Sequence, residues 1–295
     1  MISVSLPQSF SLEKIAHSGQ TFRVSLTPTG GAQFVHQGLG LVLEPDGEAS
    51  LGAQRFCAHT DEKTWRRIWK PYLGLTMSYD RLARDARAEF DDVFLRRALR
   101  WGRGLRVLHQ DPWETLFTFI VSQRKSIPAI REVVYQVSRR YGRVILDAQG
   151  APLRTPSGEP LYAFPEPDAL RAVTLEELLA LKVGYRAPYL LAAIRRLNEE
   201  PTFLRALTGR SSEEILDALQ TLDGVGIKVA SCVALYAYRC FDVAPIDVWM
   251  QRIMDTVYGG RVPAWMSHPH AGIFQQFVFD YAVNHKAAFP KGTPA

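Results

Sequence analysis

The chain has 295 residues, 47% hydrophobic and 22% charged, with a formal net charge of +5. That balance excludes a disordered or strongly acidic protein, and the basic excess favours an anionic partner without identifying one. The three cysteines, Cys57, Cys232 and Cys240, form no CxxC pair, which argues against zinc knuckles and cysteine-held iron–sulfur clusters and fits a reducing compartment. The N-terminal MISVSLPQSFSLEK has no basic region leading into an apolar core, and no apolar run approaches membrane-spanning length. A cytoplasmic protein without a membrane partner is therefore expected.

The first seventy or so residues read as β-rich. Alternating stretches at Thr21–Leu26 and Gly40–Leu43 are separated by turn chemistry at Pro28-Thr29-Gly30-Gly31 and Pro45-Asp46-Gly47, the pattern of an antiparallel sheet with one face packed. From about Asp61 the period becomes helical. Over Asp91–Trp101 the residues Val93, Phe94, Ala98, Leu99 and Trp101 fall largely on one side. Asp111-Pro112 supplies an N-cap and first-turn proline to a helix apolar nearly all round, which belongs at the centre of a bundle. Ile127–Tyr141 is amphipathic, and the proline-rich stretch 151–167 reads as an excursion between two helical halves. Further helices are expected at 168–172, 174–182, 187–198, 211–221, 227–239, 247–258 and about 270–286. The chain is thus read as α+β, with an antiparallel β domain over residues 1–75 and a helical domain over 76–295.

Leu222-Asp223-Gly224-Val225-Gly226-Ile227-Lys228 joins two of these helices, so that 211–239 forms a helix–hairpin–helix. Two glycines permit a tight turn. The turn either merely connects packed helices or, with its backbone N–H groups and the new helix N-terminus, grips a phosphate. Lys228 lies in the first turn, where the macrodipole opposes an ammonium ion. It reads as a surface lysine or as an amine nucleophile able to form a Schiff base. Asp247, after Ala244-Pro245-Ile246, opens the next helix. It reads as an N-cap or as a carboxylate facing a neighbouring site, and the two are compatible.

Gly-Val-Gly-x-Lys followed by Pro-x-Asp-Val resembles the helix–hairpin–helix (HhH-GPD) glycosylase superfamily, specifically its 8-oxoguanine DNA glycosylase/AP lyase branch. Ser18-Gly19-Gln20-Thr21-Phe22-Arg23, Gln110-Asp111-Pro112-Trp113-Glu114, Gly184-Tyr185-Arg186-Ala187 and Gly272–Phe279 are similar to further segments of that family, in its order. The resemblance implies two helical subdomains with an N-terminal antiparallel sheet, double-stranded DNA containing a damaged base as partner, monomeric action, and neither metal nor organic cofactor. It makes Lys228 the nucleophile at the deoxyribose C1′ and Asp247 the essential carboxylate. Phe279 and Cys232 would sandwich the flipped base, Gln275 would contact its pairing edge, and the Gly19 carbonyl would meet the N7 hydrogen of 8-oxoguanine. Gly224, Val225 and Gly226 would hold a phosphate, and Tyr185, beside Arg186, would fill the vacated space in the duplex.

This sequence departs from the family at four places. Val24 replaces a tryptophan, Arg124 stands at an asparagine position facing the orphaned base, Ala129 replaces an arginine of some members, and Trp249 replaces a histidine near a phosphate. The opposite-base preference stays open on these grounds. Two other readings remain: a monofunctional 3-methyladenine-type glycosylase, which lacks the hairpin lysine, and a non-catalytic module that uses the hairpin only to hold DNA, with salt-dependent binding and no base release.

Overall fold

The structure, a computed structural model, describes residues 1–47 and 53–289. Five strands build one antiparallel sheet: β1 (Ile2–Pro7), β2 (Val24–Leu26), β3 (Ala32–His36), β4 (Leu39–Pro45) and β5 (Ala53–Ala58), in the order β1-β5-β4-β3-β2. β1 pairs with β5 rather than β2 because a helix, Leu12–His17, diverts the chain between them. Six residues carry too little helical period to stand out within a β-rich region, so the sequence reading lacks this helix. Ser11 caps it, its Oγ accepting from the Lys14 amide at 3.2 Å. One face of the sheet buries Val4, Leu6, Phe34, Leu41, Leu43 and Phe56 against Trp65, Trp69 and Tyr72 of the helical run that begins at Glu62. Each fully buried apolar side chain of that size contributes roughly 2 kcal/mol.

The larger core is helical. Its centre is the helix Pro112–Ser122, capped by Asp111 and buried at Trp113 and at every position from Thr115 to Val121. Against it pack Ile127–Tyr141, Ala187–Glu199 and Ile227–Tyr238, while Val93–Trp101 and Ala271–Asn284 pack on each other in the same core. In Val93–Trp101 the buried stripe is Leu95, Ala98 and Leu99, while Val93 and Trp101 are exposed. The i, i+3, i+4 spacing of that trio sets the inward face, and the two end residues fall outside it. The proline-rich stretch does more than link two halves. It folds into short antiparallel bridges, Val144 with Tyr162, Leu146 with Pro152 and Arg154 with Pro160, and lies on the sheet. Ile145 and Ala163 pack there with Val35, and the Gln33 amide donates to the Arg154 carbonyl at 2.7 Å.

Candidate active site

The hairpin is assembled by packing as much as by turn preference. Gly224 sits at φ +74°, and a Cβ there would lie 2.3 Å from Tyr189 Cγ. Only glycine fits on both counts. Val225 is buried, and its N–H already donates to the Leu222 carbonyl at 3.1 Å. It anchors the turn in the core and has no amide to spare. Gly226 caps the next helix through its backbone, with open space where a side chain would be. A phosphate at this helix start would therefore meet Gly226 and the first-turn amides rather than Val225. The Gln123 amide holds the Gly224 carbonyl at 3.1 Å, which ties the hairpin to the end of the central helix.

Lys228, Cys232 and Tyr236 recur every fourth residue along Ile227–Tyr238 and share one face. Lys228 is half-buried, with its Nζ 5.2 Å above the Phe119 ring. Cys232 is 3% exposed. Burial pushes its thiol up to about 11, against the pull of the neighbouring Lys228 amine and with a further push from Asp247. Asp247 caps Val248–Tyr258, its Oδ1 accepting from the amides of Trp249 at 3.0 Å and Met250 at 2.9 Å. Its Oδ2 accepts no hydrogen bond among the described residues, so one oxygen anchors the group and the other is available.

The opposite wall comes from remote segments. Gly19 has φ +73°, and a Cβ on it would lie 3.4 Å from Ile127 Cδ1 and 4.0 Å from Phe279 Cε1. These distances put the Gly19 loop, the start of Ile127–Tyr141 and the last helix at one place. Gln20 fixes the loop. It is fully buried, donates to Ser18 Oγ at 2.9 Å and the Arg106 carbonyl at 2.7 Å, and accepts from the Leu108 amide at 2.7 Å. Gln110 in turn donates to the Gln20 carbonyl at 2.6 Å while its own amide binds the Tyr236 carbonyl at 2.8 Å. The two glutamines of the quoted motifs therefore brace the Gly19 wall against the Lys228 helix. On Ala271–Asn284, Gln275 is buried and Phe279, one turn later, is half-buried beside Gly19.

Tyr185 is half-exposed, with the Arg186 guanidinium 4.4 Å over its ring. Arg186 itself is 6% exposed and donates to the Val183 carbonyl at 3.0 Å. It supports Tyr185 from below instead of projecting outward. Arg124 is exposed at φ +49°, a left-handed conformation more comfortable for asparagine than for arginine. Next to it, Lys125 Nζ donates to the Lys182 carbonyl at 2.8 Å, joining this turn to the one before Tyr185. Trp249 is half-buried, with the Arg252 guanidinium 4.9 Å over its ring. Sequence reasoning missed Phe119, Tyr236, Gln276 and the bracing roles of Gln20 and Gln110. Tyr236 had a signal, eight residues after Lys228 on the same face, whereas Phe119 looked like any core aromatic.

This arrangement, a glycine hairpin followed by a lysine and a capping aspartate beside an antiparallel sheet, is that of a helix–hairpin–helix glycosylase. Residues 3–116 match the family model for the 8-oxoguanine DNA glycosylase N-terminal domain. A probable N-glycosylase/DNA lyase of Methanothermobacter thermautotrophicus is 28% identical over 275 residues, covering 85% of this chain and 84% of the relative. Among solved structures, MBOgg1 in complex with a low-affinity DNA ligand superposes with a TM-score of 0.84 at 29% identity, covering 96% of each chain. The Clostridium acetobutylicum 8-oxoguanine glycosylase/lyase, in complex with double-stranded DNA containing cytosine opposite 8-oxoG, gives 0.83 at 25% identity, again over 96% of each chain. Over nearly its whole length the chain is thus similar to 8-oxoguanine glycosylases and N-glycosylase/DNA lyases.

Proposed function

We propose that this chain is a bifunctional base-excision repair enzyme that takes 8-oxoguanine out of double-stranded DNA, releases the base and then nicks the strand. The observation that carries this reading is the Lys228 amine in the first turn after the glycine hairpin, over Phe119 and on the helix face of buried Cys232, with Asp247 capping the next helix and leaving one oxygen uncommitted. Flipping a nucleotide costs a few kcal/mol, part of which an aromatic plug such as Tyr185 recovers by stacking in the gap. The base enters between Cys232, whose thiol stays protonated and neutral, and Phe279. The Gly19 carbonyl accepts the N7 hydrogen that guanine lacks.

Lys228, as the free base, forms a bond to C1′ as the C1′–N9 bond breaks, and the purine leaves with the electron pair and gains a proton. Asp247 stabilises the cationic sugar through its uncommitted oxygen. Ring opening turns the adduct into a protonated Schiff base. That group acidifies the C2′ hydrogen, whose removal expels the 3′ phosphate by β-elimination.

A duplex carrying one 8-oxoguanine tests this directly. In borohydride the wild type is expected to become covalently trapped, and Lys228→Gln to give no trapped species. Equal trapping by the two proteins would remove Lys228 from the mechanism. Base release by the wild type without any strand nicking would favour a monofunctional glycosylase instead.

A further inference from the structure

Asp280 follows Phe279 on the last helix and is 4% exposed, although it stands one turn from the C-terminal end, where the macrodipole disfavours a carboxylate. Its Oδ1 accepts from the Asn284 side-chain amide at 3.2 Å. Its Oδ2 makes no hydrogen bond among the described residues and lies 3.7 Å from Lys14 Nζ, within ion-pair reach. Lys14 belongs to the short helix Leu12–His17, and its amine also lies 4.6 Å over the Trp101 ring. The amine is thus seated between a buried carboxylate and an indole face.

Burial raises the Asp280 carboxyl, and the pull of Lys14, with a weaker one from His285 on its own helix, offsets this only in part. Ionised Asp280 is therefore less stable in the fold than in the unfolded chain. The stabilisation linked to this group is present at low pH and is lost as pH rises through the raised value. Such a buried pair holds a fold together no better than two apolar side chains of similar size. What it supplies is one geometry. Apolar faces slide over each other with little penalty, whereas a desolvated amine follows its carboxylate.

The place of the pair gives that geometry a use. Gly19 comes five residues after Lys14, and Phe279 comes one residue before Asp280. The Gly19 backbone and the Phe279 ring meet at the slot for the base, a Cβ on Gly19 lying 4.0 Å from Phe279 Cε1. Ion pair and slot therefore join the same two segments. Between Lys14 and Gly19 the chain is stiff, since Ser18 Oγ donates back to the Ile15 carbonyl at 2.8 Å, so a shift of Lys14 is passed on to Gly19.

We propose that Lys14 and Asp280 are positioning residues for base recognition, their ion pair setting the separation of Gly19 and Phe279 and so the fit of the slot to an oxidised purine. The inference rests on the base-excision reading and adds to it what keeps the slot at one width.

The test measures release of 8-oxoguanine from a duplex and strand cleavage at a base-free site by the same preparation, and divides the first rate by the second. The quotient cancels protonation of the Lys228 amine and any loss of folded enzyme, and leaves the step that depends on the slot. Asp280→Asn keeps the volume and removes the charge. A double variant, Lys14→Met with Asp280→Leu, replaces the pair by apolar side chains. Both are expected to lower the quotient at least about threefold, while the double variant unfolds at a denaturant concentration no lower than the wild type. On acidification the wild-type quotient is expected to fall as Asp280 takes up a proton, and that of Asp280→Asn to stay flat. An unchanged quotient in both variants, or a wild-type quotient that is flat with pH, would overturn the inference and leave base excision standing. A wild type that cleaves base-free sites but releases no 8-oxoguanine would overturn the base-excision reading and this inference together.

Discussion

The two walls of the site are built in different ways. The reacting wall comes from one stretch, 224–250, in which a glycine turn, a helix repeat and a capping carboxylate place Lys228, Cys232, Tyr236 and Asp247 by local rules. The recognition wall is gathered from Gly19, Ile127, Gln275 and Phe279, up to 260 residues apart, and is held by buried amide bonds through Gln20 and Gln110. Chemistry that any damaged nucleotide shares can rest on a rigid local motif. Discrimination among bases depends on sub-ångström placement of groups that no local rule brings together, so it needs a brace across the whole fold.

That contrast can be tested from both sides. Gln20→Leu strikes the brace. The Arg106 carbonyl and the Leu108 amide lose a buried partner, and chemical denaturation is expected to show a loss of about 3–5 kcal/mol. Discrimination of 8-oxoguanine from guanine is expected to fall further than cleavage at base-free sites, and equal losses would blur the distinction between the walls. Gly224→Ala strikes the reacting wall. The new Cβ meets Tyr189 at a positive φ, at a cost of about 2–4 kcal/mol in stability, with DNA affinity measured by titration falling alongside.

Glu114→Gln probes the first turn of the central helix, where Glu114 lies half-buried beside Arg23, with side-chain atoms 3.8 Å apart. Burial raises this carboxyl from 4.5 to about 7, Arg23 pulls it down, and Asp111 and Glu166 push it up. Because the folded-state value is the higher one, its stabilisation is complete below about 4.5 and is lost as pH rises through about 7. The expected contribution is on the order of 3 kcal/mol. Stability measured across that window is expected to be flatter in the variant than in the wild type.

The reacting wall was legible from the residues because its information is short-range. Gly224, Gly226, Lys228 and Asp247 lie within 24 positions of one another, and turn, dipole and cap preferences act over a single helical turn. Reading the recognition residues took resemblance to a family, since Gly19 alone is a turn former and Phe279 alone a core aromatic. Some roles changed on folding. Val225 spends its amide on Leu222, and Arg186 lies under Tyr185, because a core environment claims donors that a linear reading counts as free.

By itself the sequence determined the α+β class, several helix starts through caps such as Asp111, Thr174, Ser211 and Asp247, and the order of the reactive groups along the hairpin. These rest on backbone propensity and side-chain period, which neighbours in the chain suffice to set. Only the tertiary structure decided that β1 closes onto β5, that the proline-rich excursion lies on the sheet, and that Gln20, bonded to Arg106 and Leu108, steadies Gly19. Those contacts join segments whose separation exceeds the reach of any local preference. Close packing chooses them, through the glycines that let backbones approach and the buried amides that must find partners once water is gone.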